Sequence, residues 1–119
     1  MRVTIRSVDH APEELYGQVP IVVDLLRQMP GDDRSDYWLG ELRVPLRWVV
    51  EGAERQVTHV VVGARWVGDE LQPGARGMPV GIAFVTDSSQ LADECLTAEK
   101  CRYVAIGECD VEGLRARQG

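Results

Sequence analysis

Three carboxylates, Asp32, Asp33 and Asp36, fall in the stretch GDDRSDYW at residues 31–38 with the spacing D-D-x-x-D. A hard divalent cation takes six or more oxygen ligands, and three neighbouring aspartates can supply some of them. The flanking residues favour a charged turn instead. Pro30-Gly31 stops the preceding element, and a period-two stretch begins at Trp38. Arg34 lies inside the triplet and can neutralise it, and the glycine precedes the acids rather than following them as in a calcium loop. Aspartate suits such turns because its side chain bonds nearby backbone groups. The expectation is a charged structural turn, with a contact surface as the alternative and no metal.

The other residue types that could do chemistry are sparse. His59 lies mid-strand among valines, where it is either a general base or a hydrogen-bonded histidine of the sheet. His10 follows Asp9, a pairing of two adjacent residues and nothing more. There is no H-x-x-x-H or H-E-x-x-H spacing, so zinc lacks ligands. Cys95, Cys101 and Cys109 have no C-x-x-C arrangement, and Arg102 beside Cys101 is the one local cation that could activate a thiol. No G-x-S-x-G elbow occurs, and the glycines of GARGMPVG are not followed by the lysine of a phosphate loop. The residues lean away from catalysis, and no cofactor is expected.

Composition sets the frame for these residues. A chain of 119 residues has room for one domain, read as residues 1–119 with a polar tail from about 113. Apolar residues at 45% and charged residues at 27% are ordinary for a globular protein and exclude bulk disorder. A net charge of −6 repels phosphate backbones and anionic membranes and suits a basic protein partner. The longest apolar run, VPIVVDLL, is interrupted by Asp24, and MRVTIRSVDH lacks the apolar core of a signal peptide. The expected compartment is the cytoplasm, with the cysteines reduced. Twelve arginines against one lysine give the chain a bacterial cast by association alone.

Periodicity then gives the elements. Val3 and Ile5 alternate with polar neighbours over 2–8, a half-buried strand. HAPEELYGQ reads as a turn or helical turn. Val22, Leu25, Leu26 and Met29 stand at i, i+3, i+4 and i+7, which predicts a helix ended by Pro30-Gly31, with a strand starting in the β-branched VPIVV as the alternative. Trp38, Leu42, Val44, Leu46, Trp48 and Val50 occupy alternate positions of a long strand, in which Pro45 marks an edge or a bulge. Residues 55–67 return as a hairpin. If Glu51 faces Glu54, Trp48 meets Val57, Leu46 meets His59 and Trp38 meets Val67. A loop at 68–78 leads to a strand at PVGIAFVT, a short helix over DSSQLADECLTAEK and a last strand at CRYVAIGECDV. The predicted fold is α+β in the order β-α-β-β-β-α-β, with about five strands in a twisted, mainly antiparallel sheet and two short helices.

These readings imply a non-catalytic, acidic protein that binds another macromolecule, most naturally a protein; an immunity or antitoxin-like inhibitor is the most specific form. Its contact residues are Asp32, Asp33, Asp36, Tyr37, Asp69 and Glu70, with the two aromatics Tyr37 and Trp38 as anchor candidates. The alternatives are a small enzyme or ligand pocket using His59, Arg65 and the 68–78 loop, and a homodimer formed through a strand edge.

Overall fold

The structure, a computed structural model, describes residues 1–11, 13–28, 37–50, 52–66, 69–86, 91, 101 and 103–113, without the side chains of Trp48, Val50, Arg55 and Tyr103. Six strands follow one another as β1 (Arg2–Asp9), β2 (Ile21–Gln28), β3 (Trp38–Val50), β4 (Ala53–Ala64), β5 (Met78–Phe84) and β6 (Tyr103–Val111). Each pairs antiparallel with the next, and β6 returns to pair with β1, from Val3↔Val111 to Asp9↔Ile106. The result is a closed barrel. The α+β expectation is therefore overturned: among the described residues there is no α-helix, and helical structure is limited to a 3-10 turn at Glu13–Gly17 and the 3-10 residue Leu91.

The helix predicted over Val22–Met29 is strand β2. Ile21, Val23 and Leu25 point inward in strict alternation, and the register with β3 slips between Leu25 and Arg27. Leu26 is the extra residue of that bulge and stands 52% exposed. Adding it to an alternating strand produces the i, i+3, i+4 spacing of a helical face. The helix predicted over 87–100 lies outside the described residues, apart from Leu91.

The hairpin register also differs from the expectation. Val50 pairs with Ala53 across a two-residue turn in which Gly52 takes φ 82°, as tight hairpin turns require. Near the turn Leu46 pairs with Val57; farther along, Glu41 pairs with His59 and Trp38 with Val62. Three extra residues of β3 are absorbed between Glu41 and Leu46, the segment that holds Pro45. Leu42 and Leu46 on either side of it face inward, whereas Val44 is 72% exposed. A proline has no N–H for the ladder, so an interruption at this point costs the sheet little.

Every strand contributes to one interior core, including Val3, Ile5, Val23, Leu46, Val60, Val80, Ile82, Phe84 and Cys109. Six strands enclose a narrow space that side chains fill. Leu15, from the 3-10 turn, joins this core at the end where the β3–β4 hairpin lies, and Leu71 joins it at the other end from the β4–β5 connection. Outward positions carry Arg2, Thr4, Arg6, Asp24, Glu41 and Arg47. No helix among the described residues is long and apolar enough to cross a membrane.

A second, smaller cluster sits on the outside of β3, β4 and β5, where Leu39, Val61, Ala83, Val85 and Cys101 are buried beneath Tyr37 and Leu91. Here Gly63 and Gly81 are cross-strand partners, and the Tyr37 ring occupies the volume that a β-carbon on Gly63 would need. This part of the outer surface of the barrel is thus dry.

Candidate functional site

Antiparallel order sets the end of β2, the start of β3, the end of β4 and the start of β5 at the same end of the barrel, with Met1 and Val111. Of the predicted contact acids, Asp69 and Glu70 are described at this end, and both are exposed. Asp32, Asp33 and Asp36 themselves lie outside the described residues. Among the described ones, no three of His, Cys, Asp and Glu gather as a metal cluster.

The 69–77 loop is held from three sides. Leu71 is buried in the core. The Gly74 N–H donates to the Val111 carbonyl at 3.0 Å, and the Val111 N–H donates to the Ala75 carbonyl at 2.8 Å. Gly74 and Gly77 take positive φ, which lets the chain turn twice within four residues. The Gly77 N–H donates to Asp110 Oδ1 at 3.0 Å, while Arg6 Nε donates to Asp110 Oδ2 at 2.8 Å. These two donors, the arginine first, hold the Asp110 carboxyl below its ordinary range. A loop pinned in this way presents Asp69 and Glu70, both exposed, in a fixed direction.

Beside them stands an aromatic residue that is not among the predicted contacts. Trp66 is 57% exposed, and the Arg65 guanidinium lies 4.7 Å from the centroid of its ring. The Asp69 N–H donates to the Trp66 carbonyl at 3.1 Å, which holds Asp69 beside the tryptophan, with Glu70 next in the chain. An exposed indole with a stacked arginine and an acidic rim can grip a partner by apolar contact, cation–π attraction and charge. Of the two expected anchors, Tyr37 is spent on Gly63 and Gly81 and is half-buried, and Trp38 packs against the interior core. The sequence signal that could have marked Tyr37 as packing was the pair of glycines opposite it, which only the β4–β5 register reveals.

The residues of the alternative pocket are not brought together. His59 and Arg65 are six positions apart on β4 and its extension, roughly 20 Å at about 3.3 Å per strand residue. His59 faces outward, paired across the sheet with Glu41, and its Nδ1 shares a 2.8 Å hydrogen bond with Thr58 Oγ1. It completes a row that no spacing announced: Arg2↔Asp24, Asp24↔Glu41 and Glu41↔His59 are successive cross-strand partners on four strands. Arg2 Nε donates to Asp24 Oδ1 at 2.8 Å, which, with Arg43 Nε 3.9 Å from Oδ2, lowers the Asp24 carboxyl. Exposed ion pairs of this kind contribute little to stability, and the row reads as surface electrostatics. Cys101 and Cys109 are buried and form no disulfide; Cys95 lies outside the described residues. Burial raises both thiols, Cys109 to about 11 with the Asp110 charge adding to it, so they are protonated and unreactive.

Compared with known proteins, the chain matches no family model, no curated protein and no solved structure.

Proposed function

We propose that this chain is a non-catalytic module that binds a protein partner through the Trp66 end of its barrel. The observation that carries this reading is the exposed Trp66, stacked on Arg65 and bordered by Asp69 and Glu70 on a pinned loop. Tryptophan and arginine are the residues most enriched among those that dominate binding energy. The barrel interior is filled by its own side chains, which directs recognition to the outside. The partner that fits has a slot for an indole flanked by basic side chains. With a net charge of −6, long-range attraction would hasten such an encounter. An immunity or antitoxin-like inhibitor of a basic protein in the cytoplasm is the most specific form of the reading. The buried cysteines, held as thiols, suit that reducing compartment.

The test is capture from a lysate of the native cell, with the wild-type chain, Trp66→Ala and Val104→Ala as parallel baits. Val104 is exposed to the same degree but lies on β6. A protein retained by wild type and Val104→Ala and lost with Trp66→Ala supports the reading. A protein retained equally by all three places recognition elsewhere.

A further inference from the structure

The β3–β4 hairpin runs past its neighbours, and its two edges differ. On the β3 side, pairing with β2 ends at Leu42. Beyond it, side chains take over the role of a strand: Gln18 Nε2 donates to the Arg47 carbonyl at 2.6 Å, and Gln18 Oε1 accepts from the Arg47 N–H at 3.1 Å. Glu14 Oε2 accepts from the Val49 N–H at 3.4 Å. On the β4 side, pairing with β5 begins at Val60↔Phe84, and the last bond is from the Val85 N–H to the His59 carbonyl at 3.1 Å. Among the described residues, no main-chain bond reaches Ala53–Thr58 from that side. Glu54, Gln56 and Thr58 are exposed there. The segment AERQVT contains neither proline nor lysine, and its pairing with β3 is unbroken from Leu46↔Val57 to Val50↔Ala53. Proline and lysine, two usual devices that blunt an edge, are missing from it, and its charges are one acid, Glu54, and one base, Arg55.

We propose that this edge pairs antiparallel with the same edge of a second copy, about a two-fold axis through Gln56. A two-fold axis perpendicular to a sheet places one residue opposite itself, so only a few registers are available. Centring on Glu54 or on Arg55 sets like charges directly opposite, which is unfavourable. Centring on Val57 drives the pairing into Val60, where β5 already lies. Centring on Gln56 sets amide against amide, Glu54 against Thr58 and Arg55 against Val57, with no like charges opposite. It also uses the open edge from turn to β5 almost completely. The sheet then continues from one protomer to the next as β3-β4-β4-β3. The contact is short, which makes the dimer weak and dependent on concentration. It stands apart from the Trp66 surface, which lies at the other end of β4 and stays open in such a dimer.

Sedimentation velocity from about 10 µM to about 1 mM, the range of weak association, tests it. The wild-type chain is expected to shift from monomer toward dimer. Gln56→Lys sets like charges across the axis and is expected to raise the dissociation constant about tenfold. In parallel, Gln56→Cys is expected to form a disulfide-linked dimer under mild oxidation, and Val104→Cys is not. A chain that stays monomeric throughout overturns the proposal. So does a dimer that is indifferent to Gln56→Lys and is not cross-linked by Gln56→Cys.

Discussion

The ring of Tyr37 fills the space above Gly63 that any larger residue would need for its β-carbon. Gly63 and Gly81 sit side by side on β4 and β5, and the tyrosine hydroxyl reaches toward Gly81. The glycines leave a shallow bed on the outside of the barrel, and the aromatic ring restores the apolar cover they cannot supply. A residue whose type and neighbourhood suggest recognition is, by this relationship, part of the packing.

Gly63→Ala should therefore displace Tyr37 and destabilise the protein by about 1–3 kcal/mol, the usual cost of overpacking. Gly17→Ala, where an added β-carbon meets nothing within 4 Å, should stay within about 0.5 kcal/mol. Urea titrations of both variants check this. Equal effects would mean that Tyr37 does not rest on Gly63.

The interruption in β3 makes two alternate residues unequal. Leu46 is buried against Val57, and Val44 is exposed. Leu46→Ala should cost about 2–5 kcal/mol, as for other buried leucines, and Val44→Ala should cost less than about 0.5 kcal/mol. An uninterrupted strand would make both losses large. Denaturant midpoints of the two variants separate the cases.

Acid should weaken the fold through Asp24 and Asp110. Both carboxyls are lowered in the folded state, Asp24 mainly by Arg2 and Asp110 mainly by Arg6. A lowered folded value means that the unfolded chain binds the proton first. Their contribution is then complete above the ordinary carboxylate value of about 3.9 and is lost as pH falls through the folded values. Stability measured from neutral pH downward should hold until about pH 4 and then decline, with a shallower decline in Asp110→Asn. An unchanged slope in that variant would remove Asp110 from the explanation.

Alkali should act through Cys109. Its thiol is pushed from the ordinary 9.0 to about 11 by burial, so above pH 9 the unfolded chain releases a proton that the folded chain keeps. Stability is complete below that ordinary value and is lost as pH rises toward the folded one. In Cys109→Ala this alkaline decline should be smaller. The Cys109 thiol should react with a thiol reagent at pH 8 only after unfolding, and rapid modification of Cys109 in the native protein would contradict its burial.

Local alternation made β1, β3, β4, β5 and β6 legible in the sequence, because each has an inward and an outward face. β2 was not legible as a strand, since the bulge at Leu26 turns its alternation into helical spacing. Closure was also hidden: β1 and β6 stand at opposite ends of the described chain, and no local pattern records that they pair. At the candidate site, the exposure of Asp69 and Glu70 followed from loop composition. That of Trp66 did not, because the return strand was expected to run to residue 67, whereas β4 ends at Ala64 and leaves the indole beyond the sheet.

That the strands close into a filled barrel, leaving recognition to the outside, is tested most directly by nuclear Overhauser contacts in a labelled sample. Cross-strand contacts are expected between Val3 and Val111 and between Ile5 and Cys109, alongside those joining Arg2 to Asp24. If the β1–β2 contacts appear without any between β1 and β6, the sheet is open, and the closed barrel is contradicted.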